Sequence, residues 1–198
     1  MELVESRRYF RCRHCGTFHF PESLEADGIR VVGTPAESLE CPVCKTGMAH
    51  ALIDSDHPID FCNKCRGVLL PRSTFAGVVN KRRAWATDPP AEPIALDREA
   101  LNRELSCPKC SRRFDTYPHY GPGNVVIDSC VSCDVVWLDF GEMRQMVAAP
   151  GRDRGSRNIP RVDDSFVRSG PGDRDDDAPH LMSAADPLSL LIAALFEN

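Results

Sequence analysis

All ten cysteines of this chain fall in Cys-x-x-Cys pairs, at 12/15, 41/44, 62/65, 107/110 and 130/133. A disulfide framework and a set of metal sites both use such pairs. Disulfides need an oxidising compartment, and disulfide-dense chains are usually short and secreted. The opening segment Met1 to Arg8 carries no apolar signal-peptide core. No apolar run approaches the roughly 18 residues that span a bilayer. The expectation is therefore a cytoplasmic chain with reduced thiols, no membrane contact and cysteines used for metal.

Two thiolates two residues apart face one ion when the backbone forms a tight knuckle, and a second knuckle completes a tetrahedron. Cys41/Cys44 and Cys62/Cys65 are separated by 17 residues, and Cys107/Cys110 and Cys130/Cys133 by 19. Either gap holds a strand, a hairpin loop and a returning strand. The expectation is two four-cysteine sites, each holding zinc, with iron the competing metal for the same ligands. Four thiolates leave no open coordination position, so the sites are structural rather than catalytic. With aromatics at 7% and 29 proline and glycine residues among 198, one large core is not expected. Several small units, each stapled, fit better.

The two sites read as an internal repeat. Val68-Leu69-Leu70-Pro71-Arg72-Ser73-Thr74-Phe75 follows the first, and Val136-Trp137-Leu138-Asp139-Phe140-Gly141-Glu142-Met143 follows the second. Each predicts an apolar strand running into a short helix. In the second copy Asp139 can cap the helix while Glu142 closes a capping box. The first helix starts near Ser73 and runs toward Lys81-Arg82-Arg83-Ala84-Trp85. Ala51–Ile53 and Ile59–Phe61 flank a turn in the first copy. In the second, Gly121-Pro122-Gly123-Asn124 precedes a strand at Val125–Ile127.

Cys-Pro-x-Cys, a gap of this size, Cys-x-x-Cys and then Val-Trp-Leu-Asp-x-Gly-Glu resembles the transcription-factor-IIB-type zinc ribbon of bacterial proteins. Residues 107–147 carry the pattern at Cys107, Pro108, Cys110, Cys130, Cys133, Trp137, Leu138, Asp139, Gly141 and Glu142. Residues 41–79 match in the cysteines alone, with Leu69, Pro71, Ser73 and Thr74 in place of Trp, Asp, Gly and Glu. The resemblance implies a metal-bound ribbon and leaves the role of the module open.

The fifth pair, Cys12-Arg13-His14-Cys15, has no second pair left over. Three readings stand beside a plain structural role. One is a third zinc with mixed ligands, His19 first among the nitrogen donors, with His14, His50 and His57 as others. Another joins Cys12/Cys15 to Cys41/Cys44. The last is a redox dithiol.

The fold class that follows is small α+β. Tandem zinc ribbons, short β-hairpins with zinc knuckles, are each followed by a short helix. The expected boundaries are an N-terminal knuckle and hairpin at 1–40, a first ribbon plus helix at 41–85 and a Pro-rich linker at 86–97. A helix capped by Asp97 and running through Arg98–Leu105, the second ribbon and its helix fill 98–149. Residues 150–178 are expected to be a disordered linker. Residues 179–198 are expected to form an apolar helix, with Leu188, Leu191, Ile192 and Leu195 on one face.

Residues 1–150 hold 18 lysines and arginines against 20 acidic residues, and the whole chain carries net charge −5. That balance argues against a dedicated nucleic-acid binder. Lys81, Arg82 and Arg83 with Trp85, and Arg112-Arg113 with Phe114, are local candidates for phosphate contact and base stacking. Their competing reading is a solvated helix and hairpin face. No nucleophile–base pair, phosphate loop or open metal site points to an enzyme. The expected function is a zinc-binding, non-enzymatic module for protein or nucleic-acid interaction. The resemblance adds transcription, and residues 187–196 offer a protein-binding helix. A thiol–disulfide or redox-sensing protein using Cys12/Cys15 is the alternative, and a structural subunit of a larger assembly is a further one.

Overall fold

The structure is a computed structural model that describes residues 1–34, 38–119 and 124–156. The first three residues of the Gly121–Asn124 turn, most of the expected linker and the expected terminal helix lie outside the described residues.

Two sheets form. The smaller has order β1-β2-β3, from Glu2–Val4, Tyr9–Arg11 and Phe18–His19. The larger is antiparallel, with order β4-β5-β6-β7-β10-β9-β8. Its strands are β4 (Ile29–Gly33), β5 (Ala49–Ile53), β6 (His57–Phe61), β7 (Val68–Pro71), β8 (Asp115–Pro118), β9 (Val126–Cys130) and β10 (Val135–Leu138). Three α-helices complete it: α1 (Arg72–Ala84), α2 (Arg98–Asn102) and α3 (Glu142–Ala148).

The middle of the large sheet is a junction between β7 and β10. Leu69 faces Trp137 there, with Val68 opposite Leu138 and Leu70 opposite Val136. Leu69 and Trp137 hold the same position after their respective knuckles. The register therefore has a local two-fold axis through that pair. On either side of it the order β7-β6-β5 matches β10-β9-β8, and β4 is an extra edge strand.

Alternation along the strands sorts the side chains by face. Val68 and Leu70, with Val136 and Leu138, join a core completed by Phe75, Val78 and Val79 of α1 and Met143 and Met146 of α3. Leu69, Val135 and Trp137 point to the other face, among cysteines of both sites with Met48 and Phe114. Both helices thus cover one face, and the sulfurs lie on the other.

Two segments depart from expectation. The α2 helix is capped by Asp97, whose carboxylate accepts from the Ala100 N–H at 2.9 Å, but it ends at Asn102 instead of Leu105. Arg103 takes an extended backbone and sends its guanidinium to Asp128 and Asp139. Residues 150–156, expected as the start of a disordered linker, pack back on the helices. Arg83 pairs with Asp153, and the Gly155 N–H donates to the Arg83 carbonyl at 2.9 Å.

Gly67 records how close the two halves lie. A Cβ there would sit 2.2 Å from Cζ2 of Trp137. Gly67→Ala should destabilise the metal-loaded protein by about 1–3 kcal/mol through overpacking. Adding Trp137→Leu should recover part of that loss, because neighbouring substitutions couple. Denaturant unfolding of the two variants checks this, and a loss under about 0.5 kcal/mol for Gly67→Ala would contradict the close packing.

Candidate metal centres

Three of the four Cys-x-x-Cys pairs after residue 40 sit in the same backbone knuckle, and in the fourth the Asp134 N–H donates to the Val131 carbonyl instead of that of Cys130. In the first pair of the first site, the Cys41 N–H donates to the Thr46 carbonyl and the Lys45 N–H to the Cys41 carbonyl. Cys62 repeats this with Gly67 and Arg66, and Cys107 with Arg112 and Ser111. Lys45, Arg66 and Ser111 all have positive φ, as does Asp134 after Cys133. The left-handed residue tightens the turn so that both sulfurs emerge on one side.

The eight cysteines of these four pairs converge in two groups. Cys41, Cys44, Cys62 and Cys65 form one, and Cys107, Cys110, Cys130 and Cys133 the other, each with its sulfurs within 4.8 Å of one another. A tetrahedral zinc site with Zn–S near 2.3 Å has edges of roughly 3.8 Å. The Cys41–Cys65 and Cys110–Cys130 sulfur separations are 3.6 Å each. The donor chemistry and spacing fit zinc. The Cys44 N–H points at Cys41 Sγ at 3.3 Å, a bond that stabilises a thiolate.

The residues after the second site do more than exit the knuckle. The Trp137 indole N–H donates to Asp139 at 3.0 Å. Asp139 also receives Arg7 at 2.8 Å and Arg103, so its carboxylate is drawn off the helix end. Half of the expected capping box forms: Glu142 accepts from the Asp139 N–H at 2.8 Å, while the helix itself begins behind Gly141 without a side-chain cap. Gly141 has φ +89°, and a Cβ there would meet the Arg7 backbone at 3.2 Å. Only glycine suits both demands. Arg7 then bridges to the fully buried Glu142 at 2.9 Å. Arg103 reaches the equally buried Asp128, which also accepts from Thr116 at 2.5 Å.

Two guanidiniums here serve three carboxylates. Burial and the nearby Asp139 push Glu142 well above the usual carboxylate range. Burial acts on Asp139 too, but Arg103 and Arg7 outweigh it and hold its pKa below the usual value. Burial raises Asp128 against the pull of Arg103. The network also fastens the N-terminal sheet. Tyr9 and Phe20 pack on Phe140, with ring centroids 6.0 and 4.6 Å away. Arg144 pairs with Glu22 and Asp27, both at 2.6 Å.

Cys12 and Cys15 share the knuckle seen at Cys41, Cys62 and Cys107. The Cys12 N–H donates to the Thr17 carbonyl, and the Gly16 N–H to the Cys12 carbonyl, both at 2.8 Å. No third donor joins them among the described residues. The expected ligand His19 lies on β3 opposite Phe10, exposed, with its ring against Phe10. His50 pairs with Asp60 at 3.2 Å, and His57 lies 3.5 Å from Asp56. The Cys41/Cys44 pair is already matched to Cys62/Cys65. Cys15 is exposed, and the Thr17 hydroxyl, 3.1 Å from its sulfur, helps bring the thiol down to about 7.

The candidate nucleic-acid residues are separated by the fold. Arg83 is only 3% exposed, spanning Asp153 and the carbonyls of Met146 and Ala149. Arg82 is tied to Asp54 at 2.7 Å and to the Asp27 carbonyl at 2.7 Å. Lys81 and Trp85 stay exposed. In the second group Phe114 is buried among the cysteines, Arg113 pairs with Glu104 and Arg112 with Ser132. Arg83 of α1 thus serves the C-terminal carbonyls of α3 and Arg82 the β5–β6 turn, which takes both out of a basic patch, whereas Arg112 and Arg113 stay exposed.

Among the described residues no helix is long and apolar enough to cross a membrane. Residues 106–149 match the family model of the transcription factor zinc-finger, the TFIIB-type zinc ribbon. Comparison with curated proteins and with solved structures gives no match. The matched stretch holds the second cysteine group, its hairpin and the Trp137–Glu142 segment.

Removing Arg7 should leave two buried carboxylates short of a partner. Arg7→Met is expected to cost about 3–5 kcal/mol and to raise amide hydrogen exchange in residues 1–20 while metal content stays unchanged. Loss of metal with no change in exchange would show the network to be misread. Glu142 supplies a pH test. Its folded form holds a proton more tightly than the unfolded chain, so the native state binds more protons from the ordinary glutamate range up to the raised value. Stability therefore falls as pH rises through that window. Glu142→Gln lacks this titration and should gain on the wild type as pH rises above the ordinary glutamate range. A pH-independent difference between the two in unfolding experiments would refute it.

Proposed function

We propose that the chain is a non-enzymatic zinc-binding protein made of two ribbon units in tandem, and that it works by binding another protein. The observation that carries this reading is the pair of closed four-sulfur groups set symmetrically on one face of a shared sheet. Closed thiolate sets have no position for substrate or water, so zinc there would shape surfaces. The chemistry supplied is structural: metal binding at such sites contributes about 10–16 kcal/mol of apparent energy coupled to folding.

Several paired features support residues 41–84 as a diverged copy of the matched ribbon. Glu40 bridges Gly47 as Ser106 bridges Arg113. The Met48 N–H donates to the Leu39 carbonyl as the Phe114 N–H donates to that of Leu105. Met48 and Phe114 are buried at equivalent places beside the sulfurs. Two of the positions where the copies differ have a use at the junction: Leu69 faces Trp137, and Gly67 accommodates its indole.

A protein partner fits the surface better than nucleic acid, because Arg7, Arg82, Arg83, Arg103 and Arg144 are committed to internal acids and carbonyls. The resemblance of residues 106–149 to the transcription factor zinc-finger supports a partner in transcription. The binding segment in this reading is the apolar stretch 187–196.

Two expected outcomes test the proposal. Cys41→Ser/Cys44→Ser and Cys107→Ser/Cys110→Ser should each lower zinc content by about one ion per chain by elemental analysis. Loss from only one of them would reduce the tandem to a single ribbon. A partner recovered from source cells should rebind as a purified component and be lost on deleting 187–196. Salt-sensitive, sub-micromolar binding to DNA or RNA would instead favour nucleic acid.

A further inference from the structure

We propose that Cys12 and Cys15 form half of a metal site for zinc or a similar thiophilic divalent ion, completed by the same two residues of a second copy of this chain. The backbone is already in ligand form. The two knuckle hydrogen bonds, Cys12 N–H to Thr17 and Gly16 N–H to Cys12, repeat those at Cys41, Cys62 and Cys107. Gly16 has φ +69°, in the left-handed place held by Lys45, Arg66, Ser111 and Asp134 elsewhere. The Thr17 hydroxyl lies 3.1 Å from Cys15 Sγ, where it can support a bound thiolate.

What the site lacks is a second pair of donors. Among the described residues this chain offers none, since both four-sulfur groups are complete without Cys12 and Cys15. The knuckle lies at the tip of the β2–β3 hairpin with Cys15 exposed, so a second knuckle can approach it. Two identical knuckles about a two-fold axis supply the four sulfurs of a tetrahedron, and a two-fold contact is the commonest way for a chain to meet itself.

Charge supports the pairing. Four thiolates around a divalent ion leave a net charge of about −2. Arg11 precedes the knuckle, and Arg13 and His14 lie within it, all on its exposed side. Arg13 is paired with Glu2, which cancels its charge, so Arg11 is the arginine of this set that carries net positive charge beside the loop. Two copies bring two such arginines to one anionic centre.

The test uses the full chain, purified without added metal, beside Cys12→Ser/Cys15→Ser. Mass in solution is measured by sedimentation and zinc by elemental analysis. The wild type should be a dimer with about five zinc ions, and the double variant a monomer with about two. Zinc retained by the variant reports that the other two sites are folded. A wild-type monomer with about two zinc ions overturns the proposal, and so does a monomer with about three, which would mean closure within one chain. A dimer that persists in the variant also overturns it. Each overturning outcome leaves the zinc of the two four-sulfur groups in place, so the failure of this site is distinguishable from a failure of the tandem-ribbon reading.

Discussion

The antiparallel pairing of Val68–Pro71 with Val135–Leu138 is the contact on which the rest of the molecule depends. Each hairpin alone is a few short strands with too little apolar surface to be stable in water. Joined edge to edge they make one seven-stranded sheet that two helices can cover. The junction also removes the most exposed edge of each unit, which would otherwise invite pairing with other chains. Its centre is a Leu69–Trp137 pair whose indole rests over Gly67.

Around that junction the two faces have different duties. One is an ordinary apolar core under α1 and α3. The other gathers eight cysteines with Met48, Phe114, Leu69 and Trp137. Trp137 connects the faces to the charged network, because its N–H holds the carboxylate that Arg7 and Arg103 share. A segment that looks like a simple helix start in the sequence is the place where three parts of the chain are fastened. Buried ion networks of this kind contribute more to a unique arrangement than to net stability, since desolvation offsets most of their attraction.

The N-terminal knuckle stands apart from this economy of closed sites. It repeats the local geometry of Cys41, Cys62 and Cys107 and leaves Cys15 exposed at a hairpin tip. Among the described residues it has no matching group of donors, which is what the proposed site between two copies would supply.

The Cys-x-x-Cys spacing determined the knuckles, because a two-residue loop with a left-handed residue after it is a local property of five or six residues. It also favoured pairing Cys41/Cys44 with Cys62/Cys65 and Cys107/Cys110 with Cys130/Cys133, whose gaps fit one hairpin, but left Cys12/Cys15 with Cys41/Cys44 open until the fold brought the two groups together. The strands at Ala51–Ile53 and Ile59–Phe61 were legible from alternation and the acidic turn between them. The edge-to-edge joining of the hairpins was not, because strand edges carry no side-chain signal for their partner. Nor was the fate of the charges: Arg7 lies 132 residues from Asp139, and Arg82 and Arg83 read as a basic patch until Asp54 and Asp153 are folded against them. Local spacing sets where ligands can meet, whereas contacts between distant segments exist only once packing has placed them, and tertiary structure alone decided those.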